Sequence, residues 1–254
     1  MPLDVGKINP GKSSRLIQPR DIFAALPDKP WSRLRPEQAE VLKAWFDRRG
    51  DRDLVLKQNT GGGKTLVGLL VAQSSLNEGV GPVVYLVPDT FLIAQVISAA
   101  VEVGISVTDD PRDERFRSSQ ATLVTTFDKL VNGRSHFGVR GAKPVIPLGV
   151  VIVDDAHAAL ASARNQFSAN LPESQAGYSK LLSLFSADLQ RQSPKIYADL
   201  VEGDFSSPLR VPPRAVADRA NEVLEILRGH GSDSAIKSFF FSWPFVADLL
   251  RVAV

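Results

Sequence analysis

The sequence predicts an α/β fold in which a doubly wound, mostly parallel β-sheet is flanked by helices and followed by a helical extension. Short apolar runs rich in β-branched residues alternate with helical periodicity up to residue 160. The runs at 83–87 and 149–153 are apolar throughout, which is typical of strands buried on both faces of a parallel sheet. Beyond residue 160 the strand signal stops and helical periodicity continues alone.

The first elements are predicted from turn and capping signals. The lead-in, residues 1–30, is rich in Pro, Lys, Arg and Asp, and we expect it to be irregular apart from a short amphipathic piece at 21–26. A proline at a first helical position, followed by apolar residues at helical spacing, predicts a helix over 36–49. A short strand is predicted at 54–56, and a helix is expected over 64–76.

The next elements continue the alternation that favours a parallel sheet. The remaining predicted strands are short and rich in Val, Ile and Thr, and they cover residues 83–87, 105–107, 122–125 and 149–153. Between them we expect a helix over 91–100, a charged surface loop over 109–120 and a short helix that begins at 127. Helices are then predicted over 181–189, 215–227 and 236–254, with Pro244 as a candidate break in the last.

This change of pattern predicts three parts along the chain. They are the irregular lead-in at 1–30, a nucleotide-binding sheet domain at 31–160 and a helical extension or insertion at 161–254. We expect the helical part to pack on the sheet domain, with a docking face for a partner domain as the alternative.

Composition is that of an ordinary soluble chain, and it narrows the classes of function. The 254 residues carry a formal net charge of +2, which permits contact with nucleic acid without arguing for it. The absence of cysteine excludes disulfides and thiolate metal sites, and the three histidines lack the spacing of a zinc site. There is no apolar segment typical of a signal peptide and no apolar run of membrane-spanning length. We therefore expect a cytoplasmic protein without a membrane partner.

One glycine-rich stretch predicts a phosphate-binding loop. Residues 58–65 read Gln-Asn-Thr-Gly-Gly-Gly-Lys-Thr and lie between the predicted strand and helix. Backbone N–H groups and the N-terminus of the helix form an anion site there, and the glycines let the backbone approach phosphates. Lys64 can then reach the β- and γ-phosphates, and the Thr65 hydroxyl can bind Mg²⁺. Gln58 departs from the usual pattern because it occupies the position of the first glycine.

A second stretch matches the phosphate-loop pattern letter for letter but lacks the structural context. Residues 6–13 read Gly-Lys-Ile-Asn-Pro-Gly-Lys-Ser. No apolar strand precedes them, and Pro19 follows before a helix could form, so nothing would hold the N–H groups in place. The loop at 58–65 is therefore preferred.

Two carboxylates follow the predicted strand at 149–153 and can complete a nucleotide site. In open α/β folds, ligands bind at the carboxyl ends of strands, which is where Asp154 is placed. A nucleoside triphosphatase needs an acidic residue there to hold Mg²⁺ and a carboxylate to orient the attacking water. These roles suit Asp154 and Asp155 respectively. The alternative is that the acidic pair only caps a following helix, since Asp is favoured at that position.

Together these motifs resemble those of the first motor domain of superfamily 2 helicases of the DEAD/DEAH-box class. Residues 58–65 look like motif I, and Asp154-Asp155-Ala156-His157 looks like motif II, with Asp155 where the family usually carries Glu. Weaker similarities link residues 88–95 to motif Ia, Thr125-Thr126-Phe127 to motif Ib and residues 35–38 to the upstream glutamine motif.

The resemblance covers residues 31–160 and implies a RecA-like domain that binds ATP and Mg²⁺. It implies that Lys64 contacts the phosphates and Asp155 orients water as the catalytic pair, while Thr65 and Asp154 position Mg²⁺ and His157 couples nucleotide state to a partner domain. The implied nucleotide contacts are Gln38, which would read the adenine, and Thr60, Gly61, Gly62, Gly63, Lys64 and Thr65. The implied contacts with a DNA or RNA backbone are Thr90, Gln95, Thr125 and Thr126. The alternative for the threonines is that they only cap helices.

Two departures from the family shape the expected activity. Asp155 is one methylene shorter than Glu, so we predict binding of ATP with Mg²⁺ more firmly than hydrolysis. No Ser/Thr-Ala-Thr motif follows Asp155, and we expect a second RecA-like motor domain to come from the rest of the same protein or from a partner chain.

Three functions remain open at this point. The first is an ATP-dependent helicase or translocase, and the second is a module that binds ATP and nucleic acid without turnover on its own. The third, a phosphate-loop kinase or small-molecule triphosphatase, lacks an evident acceptor site.

Overall fold

The structure is a computed structural model that describes residues 15–27, 29, 31–59, 61–139, 146–168, 170–229 and 237–252. The chain forms two compact units. The first comprises Met1–Leu130 with Pro144–Ala159, and the second comprises Val131–Lys143 with Leu160–Val254. The second unit thus includes a stretch, 131–143, that the sequence placed in the sheet domain. Within the described ranges, none of the helices has both the length and the apolar character needed to span a membrane.

The first unit is built on a four-stranded sheet whose paired strands are all parallel. Its strands are β1 (Val83–Val87), β2 (Val107–Thr108), β3 (Thr122–Thr126) and β4 (Val150–Val153). They lie in the order β2-β3-β1-β4, so β1 is central and β4 forms an edge. Val84 of β1 is in register with Leu123 of β3 on one side and with Val151 of β4 on the other.

Apart from the short helix at 114–117, which was not predicted, the helices named here for the first unit lie close to the predicted limits. They are α1 (Pro19–Ala25), α2 (Pro36–Arg48), α3 (Lys64–Glu78), α4 (Thr90–Glu102), α5 (Glu114–Arg117) and α6 (Phe127–Leu130). Helix α7 (Ala156–Gln166) begins in this unit and continues into the second. Short α5 lies in the stretch predicted to be a loop, where the Asp113 carboxylate accepts a hydrogen bond from Arg115 N at 2.8 Å and caps it.

One face of the sheet carries the main core. Tyr85, Val87 and Val124 are buried in one apolar cluster with residues of α3 and α4, such as Leu69 and Ile93. Helix α1, inside the lead-in that we expected to be largely irregular, adds Ile22 and Phe23 to the same cluster. The predicted α/β fold, with helices around a parallel sheet and a helical extension, is confirmed.

The strand predicted at 54–56 is wrong. Residues 53–59 are described but form no strand, and the side chain of Val55 is 91% exposed. A strand needs a neighbour for its backbone hydrogen bonds. In the described sheet β1 and β3 are each paired on both sides, and no strand lies beyond the edge strand β4. The apolar residues Leu54, Val55 and Leu56 therefore form a segment that has no partner strand in the described sheet.

The second unit is helical. Its helices are α8 (Ala176–Leu184), α9 (Ser186–Gln192), α10 (Pro194–Val201), α11 (Pro213–Asp218), α12 (Ala220–Arg228) and α13 (Lys237–Val252), together with the end of α7. The predicted helix at 181–189 divides at Phe185, and the one at 215–227 divides at Arg219. Pro244 lies inside α13 without dividing it. Helix α10 was not predicted, although Ser193-Pro194 is a typical start signal.

A buried carboxylate ties together the packed helices of the second unit. Asp188 of α9 is 8% exposed and pairs with Arg191 at 2.5 Å and with Arg219 at 2.7 Å. The Arg219 guanidinium also lies over the ring of Phe185, 5.6 Å from its centroid. Two cations thus flank this carboxylate, and one of them lies over a ring of the apolar cluster that contains Leu189 and Val223. The arrangement joins the start of α9 to the turn between α11 and α12.

Candidate nucleotide site

The candidate site lies at the carboxyl edge of the sheet, where parallel strands end side by side. Asp154 directly follows β4, and its N–H donates to the carbonyl of Leu86 in β1 at 2.8 Å. Helix α3 begins at Lys64 and Thr65. The charge of Lys64 acts on the Asp154 carboxyl, so the phosphate loop and the acidic strand end lie on the same edge.

The glycine loop adopts a conformation that requires glycine. Gly61 has φ 78° and Gly63 has φ 75°, both in the left-handed region that other residues rarely occupy. Gly63 is the N-cap of α3 and offers no side chain to bond the first N–H groups of the helix. The first turn of a helix leaves these donors without intrahelical acceptors. The N-terminus of α3 therefore has the form of an anion site.

Gln38 and Arg35 hold the loop from the side of α2. Gln38 Nε2 donates to the carbonyls of Gly62 at 3.0 Å and Gly63 at 3.4 Å, and its Oε1 accepts from Arg35 N at 3.1 Å. The Arg35 guanidinium donates to the carbonyl of Gly61 at 2.8 Å. Both ends of the buried Gln38 amide are thus engaged by protein, whereas the sequence assigned Gln38 to the adenine. Sequence reasoning missed Arg35, although Arg-Pro-Glu-Gln has the spacing of a capping box.

Gln58, which replaces the first glycine of the pattern, also lies against the loop. Its Nε2 is buried without a hydrogen-bond acceptor among the described residues, and it would lie 3.8 Å from a Cβ at Gly62. A buried donor without an acceptor is unfavourable by about 1–3 kcal/mol. Thr60, predicted to contact nucleotide, lies outside the described residues, as does the rejected loop at 6–13.

Asp154 is partly buried, and its surroundings act on its charge in opposite directions. Burial raises the pKa of its carboxyl above the usual range, and the nearby charge of Asp155 acts in the same direction. A hydrogen bond from Tyr85 and the positive charge of Lys64 oppose this rise but do not cancel it. A cation beside Asp154 would stabilise its charged form, which burial disfavours.

Tyr85 is a site residue that the sequence did not reveal, because it lies in an apolar strand. It is buried in β1 with its ring against Gly68 of α3, and its hydroxyl lies near the side chains of Asp154 and Thr65. Burial, together with the charge of Asp154, raises the pKa of the Tyr85 hydroxyl, so it stays protonated. One hydroxyl therefore lies near both residues predicted to hold Mg²⁺.

Asp155 is the N-terminal cap of α7. Its φ of 62° lies in the left-handed region, and its Oδ1 accepts hydrogen bonds from His157 N at 3.1 Å and Ala158 N at 3.3 Å. Asp tolerates this conformation better than longer side chains do and is a preferred cap. The alternative role named for the acidic pair thus describes what Asp155 does in the structure. The side chains of Asp155 and His157 are exposed and remain accessible to a ligand.

Comparison with models of known protein families identifies the family of this chain. The sequence model of the DEAD/DEAH box helicase family matches residues 35–195, more than half of the chain. The chain belongs to the DEAD/DEAH box helicase family. Comparison with curated proteins gives no match, and comparison with solved structures gives none either. The chain is therefore a helicase-family ATP-binding module, consistent with an N-terminal RecA-like motor domain.

The helicase residues predicted to touch nucleic acid fall into two groups. Thr90, the first residue of α4, and Gln95 are exposed, and Asp89 caps that helix by accepting from Leu92 N at 3.0 Å. The side chains of Thr125 and Thr126 are only 3% and 6% exposed, because β3 is an inner strand followed at once by α6. These two side chains are therefore buried in this structure, and their contact with a nucleic-acid backbone stays a prediction.

The residues of this helicase site fit a Mg²⁺ ion whose other ligands are phosphate oxygens and water. Among the described residues, no group of three His, Asp or Glu side chains could hold a metal by itself. Mg²⁺ needs only one or two protein ligands when phosphate oxygens and water complete its shell. Thr65 and Asp154 both lie near the Tyr85 hydroxyl, and they supply a hydroxyl and a carboxylate, which are oxygen donors of the kind that Mg²⁺ takes.

Proposed function

We propose that this chain binds ATP with Mg²⁺ and forms the ATP-binding half of a helicase or translocase. Hydrolysis is coupled to movement along DNA or RNA once a second RecA-like motor domain completes the site. The observation that supports this proposal is that the start of α3, with Lys64 and Thr65, lies at the same edge of the sheet as Asp154, and that the charge of Lys64 acts on the Asp154 carboxyl. A phosphate loop beside an acidic strand end is the arrangement that nucleoside triphosphate binding requires.

The residues of the loop bind the phosphates. The uncapped N–H groups at the start of α3 face the anion, and Lys64, which is exposed, contacts the β- and γ-phosphates. Thr65 and Asp154 would hold Mg²⁺, which when bound neutralises the charge on the phosphate oxygens. Arg35 and Gln38 hold the carbonyls of Gly61 and Gly62 toward α2. The Gly62 N–H donates to the Asn59 carbonyl at 3.1 Å, so the donors available to the ligand are those at the start of α3.

Asp155 orients the attacking water, and His157 couples the site to the second motor domain. Oδ1 of Asp155 accepts the capping bonds of α7, so water is bound by its other carboxylate oxygen. The exposed side chain of His157 is available to the second domain. Arginines from that domain would stabilise the transition state and raise the rate by roughly 10³–10⁵. Thr90 and Gln95 contact the nucleic-acid backbone.

A second candidate is a module that binds ATP and nucleic acid without turnover of its own. The capping bonds of Asp155 favour it, because they hold a short carboxylate against α7. Misplacement of a reacting group by about 1 Å can lower a rate roughly a hundredfold. Both candidates share the same ATP site and differ in what Asp155 does.

The test is ATP affinity and ATPase rate with and without single-stranded DNA or RNA, measured on this chain and on a form that carries a second motor domain. We expect Mg²⁺-dependent ATP binding that Lys64→Ala abolishes, and turnover that nucleic acid stimulates when the second domain is present. Phosphate contacts make nucleic-acid binding weaken steeply with salt. Binding without turnover in both forms supports the second candidate. Absence of ATP binding contradicts both.

A further inference from the structure

Two side chains at the start of α2 bind the phosphate loop through its carbonyl groups. The Arg35 guanidinium donates to the carbonyl of Gly61 at 2.8 Å, and Gln38 Nε2 donates to the carbonyl of Gly62 at 3.0 Å. The same nitrogen lies 3.4 Å from the carbonyl of Gly63, which is the N-cap of α3. Three successive carbonyls of the loop are thus held by one neighbouring helix.

The loop and the Gln38 amide are fitted to each other. A Cβ at Gly63 would overlap Gln38 Nε2, so glycine is what leaves room for the amide there. Gly63 also has φ 75°, a conformation that favours glycine on its own. Gln38 is 5% exposed, and its Oε1 accepts from Arg35 N at 3.1 Å, so the amide is fixed at both ends.

These bonds matter for an anion because a carbonyl oxygen carries partial negative charge. A loop carbonyl that faced the phosphates would repel them and would weaken the site formed by the N–H groups at the start of α3. The carbonyl of Gly61 instead accepts from a guanidinium, and such charge-assisted bonds are about twice as strong as neutral ones. Arg35 and Gln38 therefore act on the part of the site that binds phosphate.

Recognition of adenine by Gln38 would need the same two polar ends of its amide. A glutamine reads adenine by accepting from the N6 amino group and donating to N7, so both ends of the amide lie on the edge of the base. In this structure both ends of the Gln38 amide are bonded to protein groups. Recognition of the base would therefore require the bonds to the loop to break.

We propose that Arg35 and Gln38 are positioning residues for the phosphate loop, and that the site selects its ligand by the triphosphate and not by the base. The inference rests on the proposed function, because it names the class of ligand that the same ATP site takes. That class is any nucleoside triphosphate, and inorganic tripolyphosphate shares its phosphate chemistry. Recognition of adenine by Gln38, which the sequence predicted, is the alternative.

The test compares ligands that share a triphosphate and differ in the base. ATP, GTP and tripolyphosphate, each with Mg²⁺, compete against a fluorescent ATP analogue for wild type and for Gln38→Met, which keeps the length of the side chain and removes both polar ends. We expect wild type to bind ATP and GTP within roughly fivefold of each other, a difference no larger than one hydrogen bond contributes. Gln38→Met should weaken the binding of all three ligands by the same factor, roughly tenfold.

Arg35→Ala repeats the test at an exposed side chain, so the result does not depend on a change in the core. It should weaken the binding of the three ligands equally while thermal unfolding stays unchanged. Arg33→Ala is the matched control, because it removes the same charge from another exposed side chain close by. It should change no affinity by more than about twofold, since exposed charges are screened by salt.

Each other outcome contradicts a distinct part of the proposal. A preference for ATP over GTP larger than roughly fivefold that Gln38→Met abolishes assigns Gln38 to the base and overturns the inference, while the proposed function stands. Unchanged affinities in both Gln38→Met and Arg35→Ala overturn the positioning role. Equal effects of Arg33→Ala and Arg35→Ala reduce the role of Arg35 to its charge and overturn it too. Failure of wild type to bind any of the three ligands overturns the proposed function as well.

Discussion

Replacement of Asp155 by Asn separates its two roles, the cap of α7 and the orientation of water. Asn is also a preferred N-cap and tolerates the left-handed φ of 62°, and its side-chain oxygen can accept from His157 N and Ala158 N as Oδ1 does. We therefore expect Asp155→Asn to change the free energy of unfolding by less than about 0.5 kcal/mol. ATP affinity should be retained, since no phosphate-loop contact is altered.

Turnover should respond differently, because the amide cannot accept a proton from water. Loss of a positioned base typically lowers a rate by roughly 10²–10⁴. Phosphate release is measured with nucleic acid and the second motor domain present, beside ATP affinity and thermal unfolding. Turnover within twofold of wild type would refute the catalytic role of Asp155.

Asp155→Ala is the matched control for the capping role. Alanine loses the cap, worth about 1 kcal/mol, and pays roughly 1–2 kcal/mol for a left-handed residue that has a Cβ. We expect it to be destabilised by about 2 kcal/mol relative to Asp155→Asn when both are unfolded by urea. Equal stability of the two variants would refute the cap argument and leave the catalytic role untouched.

Three further predictions concern packing and charge. Gly68→Ala should lower the free energy of unfolding in urea by about 1–2 kcal/mol, because the overlap of the new Cβ with the buried ring of Tyr85 outweighs the better helix propensity of alanine. Gly50→Ala is the control, and it should not lower this free energy, because a Cβ at Gly50 meets open space. Asp188→Ala should destabilise the chain by about 2 kcal/mol, since two arginines lose a buried carboxylate, and an unchanged urea midpoint would contradict this. Burial raises the folded-state pKa of Asp154, so its ionisation penalises folding once pH rises through that pKa. Asp154→Asn should therefore raise the melting temperature of the ligand-free protein at pH 7 but not below pH ~4, while Mg²⁺-dependent ATP binding falls.

The nucleotide site could be predicted from the sequence because its motifs consist of residues that are close together in the chain. The glycines of the loop, Lys64 and Asp154 follow patterns that depend on a few neighbouring residues, and the structure places them on one edge of the sheet. The capping of α7 by Asp155 is equally local, and the sequence raised it as an alternative. Helix limits in the first unit were predictable for the same reason.

Features that depend on distant residues were not predictable. Residues 54–56 have a composition typical of a strand, but a strand forms only where a neighbouring strand pairs with it. The burial of Thr125 and Thr126 follows from the position of β3 inside the sheet. Tyr85 stands in an apolar run, and such a position predicts a core residue. Its proximity to Asp154 depends on the register of β1 with β4 and on the packing of its ring against α3.

The open edge of β4 affects every measurement described above. Val150 and Ile152 pack toward α3, but Val151 and Val153 are 43% and 39% exposed on a strand whose outer backbone groups have no partner strand among the described residues. Such an edge is a template for pairing with another chain, and charged side chains are the usual protection against it. Protein concentration is therefore an experimental variable, and affinities are comparable only between samples in the same state of association. The substitution Val151→Lys would place a charged side chain on this edge without touching the phosphate loop.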